Sequence, residues 1–437
     1  MSSTTLSAVA AESTAREPVS VSRLYAWSVF ALTFGLMLSD YLSRPVIGGV
    51  MPALKIEWGL LDSQLAMLVS VVSLVVGVLT VPVSLVADRW GRVRSITLMA
   101  FVWCLATVAC GLAQSHGQLL WARAFVGVGE AAYGAAGGAL LAHVFPERQR
   151  AAVLGAFLSA SLFGAVLGVV LGGIVTTHFG WRMAFFTVGA PGLLLAAIYP
   201  FVVRDYKTVP LTSAGKDGAA AKPLSALQVV REVFGARSGN LTYLASGLQI
   251  AMPGMLIAWL PTYFSRYHDM DMKKAALMAG VAVLIAGIGM IVGGGLADRL
   301  SVKNPRRRAL VPAVYSVLTA VILMAAFALP PGPLGLGLIM LGAFFAAAQG
   351  GCSAALTLDV THPGVRATVT ATLVLANNLI GLAPGPLIVG LLSDQVGLKM
   401  AMTVTPLLAL AAAVCFVLAS RSYETDAARN RARTPQT

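Results

Sequence analysis

The segment 84–94 reads SLVADRWGRVR, and the segment 294–303 reads GGLADRLSVK. Each closes a long apolar run, and a basic cluster follows the Ala-Asp-Arg core in both. The second copy of this core comes 210 residues after the first, at Asp298 against Asp88. Such a repeat, with each copy at the end of the second apolar run of its half, predicts two duplicated halves.

The composition places the chain in a membrane. Hydrophobic residues make up 57% of it, charged residues only 11%, and the mean hydropathy is +0.81. Apolar runs of about 20 residues span a bilayer, and lipid permits only helices or closed barrels. These runs lack the alternation of a barrel. We therefore predict an all-α polytopic membrane protein with 12 transmembrane helices at residues 24–52, 63–87, 95–114, 118–144, 151–177, 183–203, 240–265, 275–297, 308–329, 334–358, 367–392 and 399–420.

A long polar stretch divides the chain into equal halves. Residues 204–239 contain the segment SAGKDGAAAKP and then a short amphipathic pattern from Leu224 to Phe234. Six predicted spans precede this stretch and six follow it. We expect a disordered cytoplasmic N-terminus at 1–23, a first six-helix bundle at 24–203, a cytoplasmic linker at 204–239, a second bundle at 240–420 and a cytoplasmic tail at 421–437, the bundles being related by pseudo-two-fold symmetry.

The basic residues set the orientation. With the N-terminus inside, 23 of the 31 Lys and Arg fall in cytoplasmic segments. Positive charge is enriched on the cytoplasmic side of membrane proteins. We expect an integral protein of the plasma (inner) membrane with both termini cytoplasmic. The net charge of +13 is then a matter of topology, and we expect no nucleic-acid partner. The remaining eight basic residues fall outside or within spans: Lys55, Arg182, Arg266, Lys273, Lys274, Lys399, Arg44 and Arg123.

With these features the chain resembles the major facilitator superfamily over the whole region of the spans. The loop motif of that family reads roughly G-x-x-x-D-R-x-G-R-[KR]. Residues 84–94 match it except that Ser84 replaces the glycine and Val93 a basic residue. A second signature, R-x-x-x-G-x-G on span 4, matches Arg123, Gly127 and Gly129.

The resemblance implies a secondary transporter that works by alternating access. In the family the loop cluster latches the two bundles on the cytoplasmic side, and spans 1, 4, 7 and 10 line a central cavity. The resemblance therefore assigns a conformational latch to Asp88, Arg89, Gly91, Arg92, Asp298 and Arg299. The alternative interpretation of these charges is simple topology setting.

Four ionisable residues lie inside apolar spans of the first half. Asp40 and Arg44 are four residues apart and share a face of span 1, and Arg123 and Glu130 are seven apart and share a face of span 4. A charge at the bilayer centre costs about 2.5–3.5 kcal/mol on insertion scales, so such residues are usually functional. We predict that Asp40 and Glu130 carry protons, and that Arg44 and Arg123 bind an anion or pair with the acids. The alternative is a static ion-pair network.

The second half offers neutral polar groups to the same cavity. We predict substrate contacts at Arg44, Arg123, Tyr41, Gln249, Tyr263 and Asn377. Hydrogen bonding between helices is the alternative for the amides. Anion symporters and spinster-like transporters of the resembled family often place Arg directly after the span-1 Asp. Tyr41 occupies that position here, and the branch stays open.

The sequence thus predicts proton-coupled transport of a small organic anion or amphipathic acid, with the proton gradient as the energy source. The alternatives are a proton-linked exporter of lysolipid-like or drug-like amphiphiles, an uncoupled facilitator, and a sensor on a transporter scaffold. We expect no cofactor, no metal site and no enzymatic activity, because no catalytic or metal-ligand spacing occurs. The expected partners are a small-molecule substrate, protons and membrane lipid, and the expected state is a monomer.

Overall fold

The protein is built from helices that cross a membrane. The computed structural model describes residues 22–131, 133–204, 226–301, 306–362 and 365–433, and these ranges contain no strand. Ten helices are long and apolar enough to span a bilayer. Two further spans, the first and the fourth, are each divided into two helices, which gives twelve spans in all.

The two halves contain six spans each. The first six spans are formed by Arg23–Ser43 with Val46–Trp58, Asp62–Trp90, Arg92–Leu112, His116–Glu130 with Tyr133–Val144, Glu147–Phe179, and Trp181–Val202. The last six are formed by Arg237–Tyr267, Met272–Ser301, Arg307–Ala328, Pro333–Ala348 with Gly350–Asp359, Arg366–Ala376 with the π-helical Asn377–Leu382 and Pro384–Val396, and Leu398–Val404 with Leu407–Arg433. Span 12 therefore continues as helix beyond the predicted end at 420. A short helix, Ala226–Phe234, precedes span 7; residues 1–21 and 205–225 of the predicted terminus and linker lie outside the described residues.

The same helix pairs pack together in both halves. Span 3 packs on span 6 as span 9 packs on span 12, span 2 on span 4 as span 8 on span 10, and span 1 on span 5 as span 7 on span 11. The turn between the fifth and sixth span of each half also repeats. Gly180 and Gly397 lie at φ +82° and +83°, a region that favours glycine. The twelve spans thus form two six-helix bundles related by pseudo-two-fold symmetry.

Span 1 is interrupted at a proline. Its first helix ends at Ser43 and its second begins at Val46, with Pro45 between them. Proline has no N–H to donate and clashes with the preceding turn, so it breaks a helix interior. The N–H of Gly48 donates to the Pro45 carbonyl at 3.0 Å, which leaves the Arg44 carbonyl without its helical partner. Span 4 is interrupted at the same depth, after Glu130.

We call the end of the molecule that carries residues 22 and 433 the terminal end, and the opposite end the far end. The far half of span 1, Val46–Trp58, lies between the bundles. A Cβ added at Gly48 would stand 2.7 Å from the Ile257 carbonyl oxygen of span 7. A Cβ at the adjacent Gly49 would stand 2.7 Å from the Val169 carbonyl oxygen of span 5. Backbones approach this closely only where glycine provides the room.

The bundles meet toward the far end and separate toward the terminal end. Along spans 5 and 8, Gly173 faces Ala276, and Gly287 faces Leu162 about three turns nearer the middle. Seven residues further on the same helix faces lie Gly155 and Gly294, where an added Cβ would meet nothing within 4 Å. Along spans 5 and 8 the structure is therefore closed at the far end and open at the terminal end.

Candidate functional site

Three charged side chains meet where the interrupted spans 1 and 4 lie side by side. Arg44 Nε lies 2.7 Å from Glu130 Oε2 and 3.6 Å from Asp40 Oδ1. Asp40 and Glu130 are buried, with 2% and 3% of their surface exposed, whereas the Arg44 side chain is 24% exposed. The Arg44–Glu130 contact is a close ion pair without a well-aligned N–H···O direction. We call Asp40, Arg44 and Glu130 the charge cluster.

The local sequence explains this meeting. Asp40 and Arg44 occupy the last turn before Pro45, so the i,i+4 spacing brings them together on one face. Glu130 is the last residue of the first helix of span 4. Of the four intramembrane charges predicted to face one space, the structure brings the side chains of Asp40, Arg44 and Glu130 together. The far-half contact of Gly48 with span 7 begins one turn beyond Arg44, which places the cluster at the inner limit of the opening between the bundles.

Ser43 completes the cluster and was missed by the sequence analysis. Its Oγ donates to Glu130 Oε1 at 2.5 Å and lies 2.8 Å from the Asp40 carbonyl oxygen. A hydroxyl has one proton, so Ser43 can donate to only one of these oxygens at a time. The spacing of Ser43 three residues after Asp40 was the available signal, because positions i and i+3 share a helix face.

Arg123 has a different environment from the one predicted. Its guanidinium is fully buried and donates to three backbone carbonyls: Nη1 to Ser43 at 2.7 Å, Nη2 to Arg44 at 3.0 Å and Nε to Leu68 at 3.1 Å. Two of these carbonyls belong to the break in span 1, where helical partners are lost. Arg123 thus ties span 4 to spans 1 and 2, and its role as an anion ligand stays a prediction.

Of the other predicted contacts, Tyr41 is the one the structure brings to the cluster. The Arg44 Cζ atom lies 5.4 Å from the centroid of the Tyr41 ring. Asn377 lies at the start of the π-helical segment of span 11, and its Oδ1 accepts a hydrogen bond from Ser246 Oγ at 2.8 Å. π-helical segments are frequent at functional sites.

Gln249 and Tyr263 lie inside the second bundle. The Gln249 amide donates to Thr319 Oγ1 and to the Ala346 carbonyl, on spans 9 and 10. The Tyr263 ring packs edge-on against Phe327 with centroids 5.0 Å apart. Both side chains are buried among neighbouring helices in this conformation. They are therefore not grouped with the charge cluster, and their assignment as substrate contacts stays a prediction.

The predicted latch is described only in part. Gly91 forms the turn between spans 2 and 3 at φ +104°, which explains the glycine of the motif. The side chains of Asp88, Arg89 and Arg92 lie outside the described residues. In the second copy, Asp298 is 3.6 Å from Arg308 within its own bundle, and Arg299 is exposed. A latch between bundles stays a prediction for all six residues. No group of three His, Cys, Asp or Glu that could hold a metal occurs in the described part of the chain.

Comparisons with known proteins agree with this architecture. The family model described as Major Facilitator Superfamily matches residues 29–386. A probable L-galactonate transporter of Escherichia coli (strain K12) is 27% identical over 293 residues, which cover 64% of this chain but only 63% of that protein. An MFS-type efflux pump of Mycolicibacterium smegmatis is 25% identical over 413 residues, 92% of this chain and 94% of that protein. The named relatives are transporters, not enzymes.

The fold also matches a solved structure. A bacterial homolog to the human lysosomal transporter Spinster, crystallised in an inward-facing and unoccupied conformation, superposes with a TM-score of 0.82. The match covers 93% of this chain and 99% of that one, at 23% sequence identity. At this identity the likeness concerns the fold.

Proposed function

The chain belongs to the Major Facilitator Superfamily, and we propose that this member is a proton-coupled secondary active transporter of a small organic anion or amphipathic acid. The observation that carries the proposal is the charge cluster, in which two buried carboxyl groups, Asp40 and Glu130, share one partly exposed guanidinium, Arg44. The cluster lies at the inner limit of the opening between two bundles that move past each other in alternating access.

The charge balance supports proton binding. If both carboxyl groups are ionised, Arg44 pairs with them directly, and the other nearby cation, Arg123, is bound to backbone carbonyls rather than to an acid, so one buried carboxylate has no ion-pair partner of its own. An uncompensated buried charge is costly, and binding one proton to the pair removes that cost. Because the two groups are close to the same arginine, the proton belongs to the pair rather than to one residue.

The Ser43 hydroxyl supports a protonated form of the cluster. With a proton on Glu130, its O–H donates to Ser43 Oγ, and the Ser43 O–H donates to the Asp40 carbonyl oxygen. Both short distances, 2.5 and 2.8 Å, are then used by one donor each. With Glu130 ionised, one of these two contacts has no proton. Loading with a proton therefore completes the hydrogen-bond chain between spans 1 and 4.

Arg44 supplies the link to an anion. It is the one member of the cluster that is partly exposed, and its planar guanidinium suits a carboxylate. When a substrate carboxylate takes Arg44, the two acids lose their counter-charge and their affinity for a proton rises. Anion and proton then favour each other's binding, and by linkage the effect is reciprocal. The galactonate named for one relative is an anion of this kind.

Purified protein in proteoliposomes tests the coupling. A thermal-shift screen of organic acids, including galactonate, and of amphiphiles at two pH values identifies a substrate that stabilises the protein. Adding that substrate outside vesicles with a trapped pH dye should acidify the interior. Asp40→Asn and Glu130→Gln should abolish this proton movement and keep substrate exchange across the membrane. Glu57→Gln, an exposed acid near the far end, serves as the matched control. Proton movement that persists in both cluster variants would contradict the proposal.

A second candidate function is proton-linked export of lysolipid-like or drug-like amphiphiles. The match to an efflux pump over 94% of that protein's length favours it. Export by antiport moves the proton against the substrate, so adding substrate outside would make the vesicle interior more alkaline. The sign of the dye signal distinguishes the two candidates, and an uncoupled facilitator would give no signal.

A further inference from the structure

A second group of charges joins the two bundles at the far end. Asp62, the first residue of span 2, accepts hydrogen bonds from both terminal nitrogens of Arg266 on span 7, each at 2.8 Å. Lys55 at the end of span 1 donates to the same carboxylate at 2.5 Å, and Ser393 of span 11 donates at 2.5 Å. Asp62 is buried with 3% exposed, so its four contacts saturate a carboxylate shielded from water.

A reciprocal contact runs the other way. Asp394 of span 11 accepts from the backbone N–H groups of Asp62 at 2.8 Å and Ser63 at 3.0 Å. These are the free donors at the start of span 2, where a carboxylate is stabilised by the helix dipole. Each bundle thus offers an acid to donors of the other bundle. The four charges of this group, two acids with Lys55 and Arg266, sum to zero.

We infer that Asp62 is a gate residue that stabilises the closed conformation of the far end. Opening that end moves spans 7 and 11 away from span 2 and separates Asp62 from Arg266 and Ser393. The bidentate geometry between a carboxylate and a guanidinium is lost within a small displacement. Lys55 belongs to the first bundle and stays with Asp62 when the end opens. This inference concerns the conformational equilibrium and does not depend on which substrate or ion the protein moves.

Removal of the carboxylate charge should favour opening. In Asp62→Asn, Arg266 keeps its charge in a closed interface that no longer neutralises it. Removing the buried Asp62 carboxylate leaves the Arg266 cation, whose side chain is 29% exposed, uncompensated in the closed interface, and opening the far end hydrates it fully. The ratio of far-open to far-closed protein should therefore rise on the order of tenfold or more.

Distances between spin labels on the two bundles measure this ratio without substrate or a proton gradient. One pair of labels replaces the exposed residues Phe179 and Leu334 near the far end, and another replaces Phe201 and Leu300 near the terminal end. The four native cysteines are replaced first. In Asp62→Asn the far-end distance should lengthen while the terminal-end distance shortens. A purely structural role for Asp62 would lower the melting temperature or broaden both distributions, without this opposite change.

Two further variants complete the test. Arg266→Gln should move both distances in the same directions, and the double variant with Asp62→Asn should do no more than the larger single change, because both remove one interaction. Glu57→Gln breaks a 2.8 Å ion pair with Arg182 that lies within the first bundle at the same end, and it should change neither distance. The inference is overturned if Asp62→Asn leaves both distributions as in the wild type, or if Glu57→Gln shifts them equally. Failure here would leave the proton-coupling proposal standing, because that proposal is read from the dye signal of the Asp40 and Glu130 variants.

Discussion

Arg123→Lys separates a bracing role from a ligand role for the buried arginine of span 4. Lysine keeps the positive charge but replaces the planar fork by a single ammonium group. The three carbonyls that Arg123 binds belong to Ser43, Arg44 and Leu68, on two different spans, and one ammonium cannot reach all of them with the arginine geometry. We expect two of the three hydrogen bonds to be lost.

The expected cost follows from the number of lost bonds. A hydrogen bond contributes about 0.5–1.5 kcal/mol in soluble proteins, and about 0.6 kcal/mol on average between membrane helices. Two lost bonds should therefore lower the free energy of unfolding by about 1–3 kcal/mol. The ammonium group of lysine is more strongly hydrated than the guanidinium, so its burial adds to this cost.

Reversible unfolding in mixed micelles with increasing sodium dodecyl sulfate measures this change, with tryptophan fluorescence as the signal. Arg182→Lys is the control: its ion pair with Glu57 is about two-fifths exposed, and such pairs contribute at most about 1 kcal/mol. The reasoning is refuted if Arg123→Lys unfolds at the wild-type detergent fraction while substrate affinity falls. That outcome would make Arg123 a ligand rather than a brace.

Two more predictions concern packing and pH. Gly172→Ala should destabilise the first bundle by about 1–3 kcal/mol in the same unfolding assay, because the new Cβ would stand 2.5 Å from the Val46 carbonyl oxygen, whereas Gly155→Ala, in open space, should be neutral or stabilising. The Arg182 hydrogen bond lowers the pKa of Glu57 below its ordinary 4.5, so the Trp181 Nε1–Glu57 bond of 2.7 Å should persist above pH 4.5 and be lost as the pH falls through the lowered value. The indole N–H resonance of Trp181, measured in nanodiscs, should shift as this bond is lost in the wild type but not in Glu57→Gln. A wild-type resonance that stays unchanged down to strongly acidic pH, as in Glu57→Gln, would contradict the prediction.

The sequence was informative where spacing along one helix decides the geometry. The pair Asp40 and Arg44 follows from a separation of four residues, and the repeated Ala-Asp-Arg core with its polar linker defines two halves. Glu130 was placed beside them by combining span order with the resemblance to a family. Pro45 also predicts a helix break in hindsight, because a proline inside an apolar span removes a donor and clashes with the turn before it.

Other features depend on contacts that no local pattern encodes. Arg123 binds carbonyls that become free only because span 1 is interrupted, 79 and 80 residues away in sequence. Asp62 and Arg266 are 204 residues apart, and each looks like an ordinary charge at the end of a span. Gln249 hydrogen-bonds to spans 9 and 10 in this conformation, and the packing of those spans decides which face of span 7 turns toward them.

The neighbouring glycines of the far half of span 1 carry different constraints. Gly49 faces span 5, which belongs to the same bundle and stays in place throughout the cycle, so a methyl group there is disfavoured in every conformation. Gly48 faces span 7 of the opposite bundle, whose Ile257 carbonyl excludes a methyl group in this structure. In the alternating-access cycle proposed above, that carbonyl would withdraw when the far end opens. Alanine at position 49 should therefore impair folding, whereas alanine at position 48 should shift the conformational equilibrium toward the far-open state. Substitution at these two adjacent positions would thus be limited by different requirements: helix packing within one bundle at position 49, and movement between the bundles at position 48.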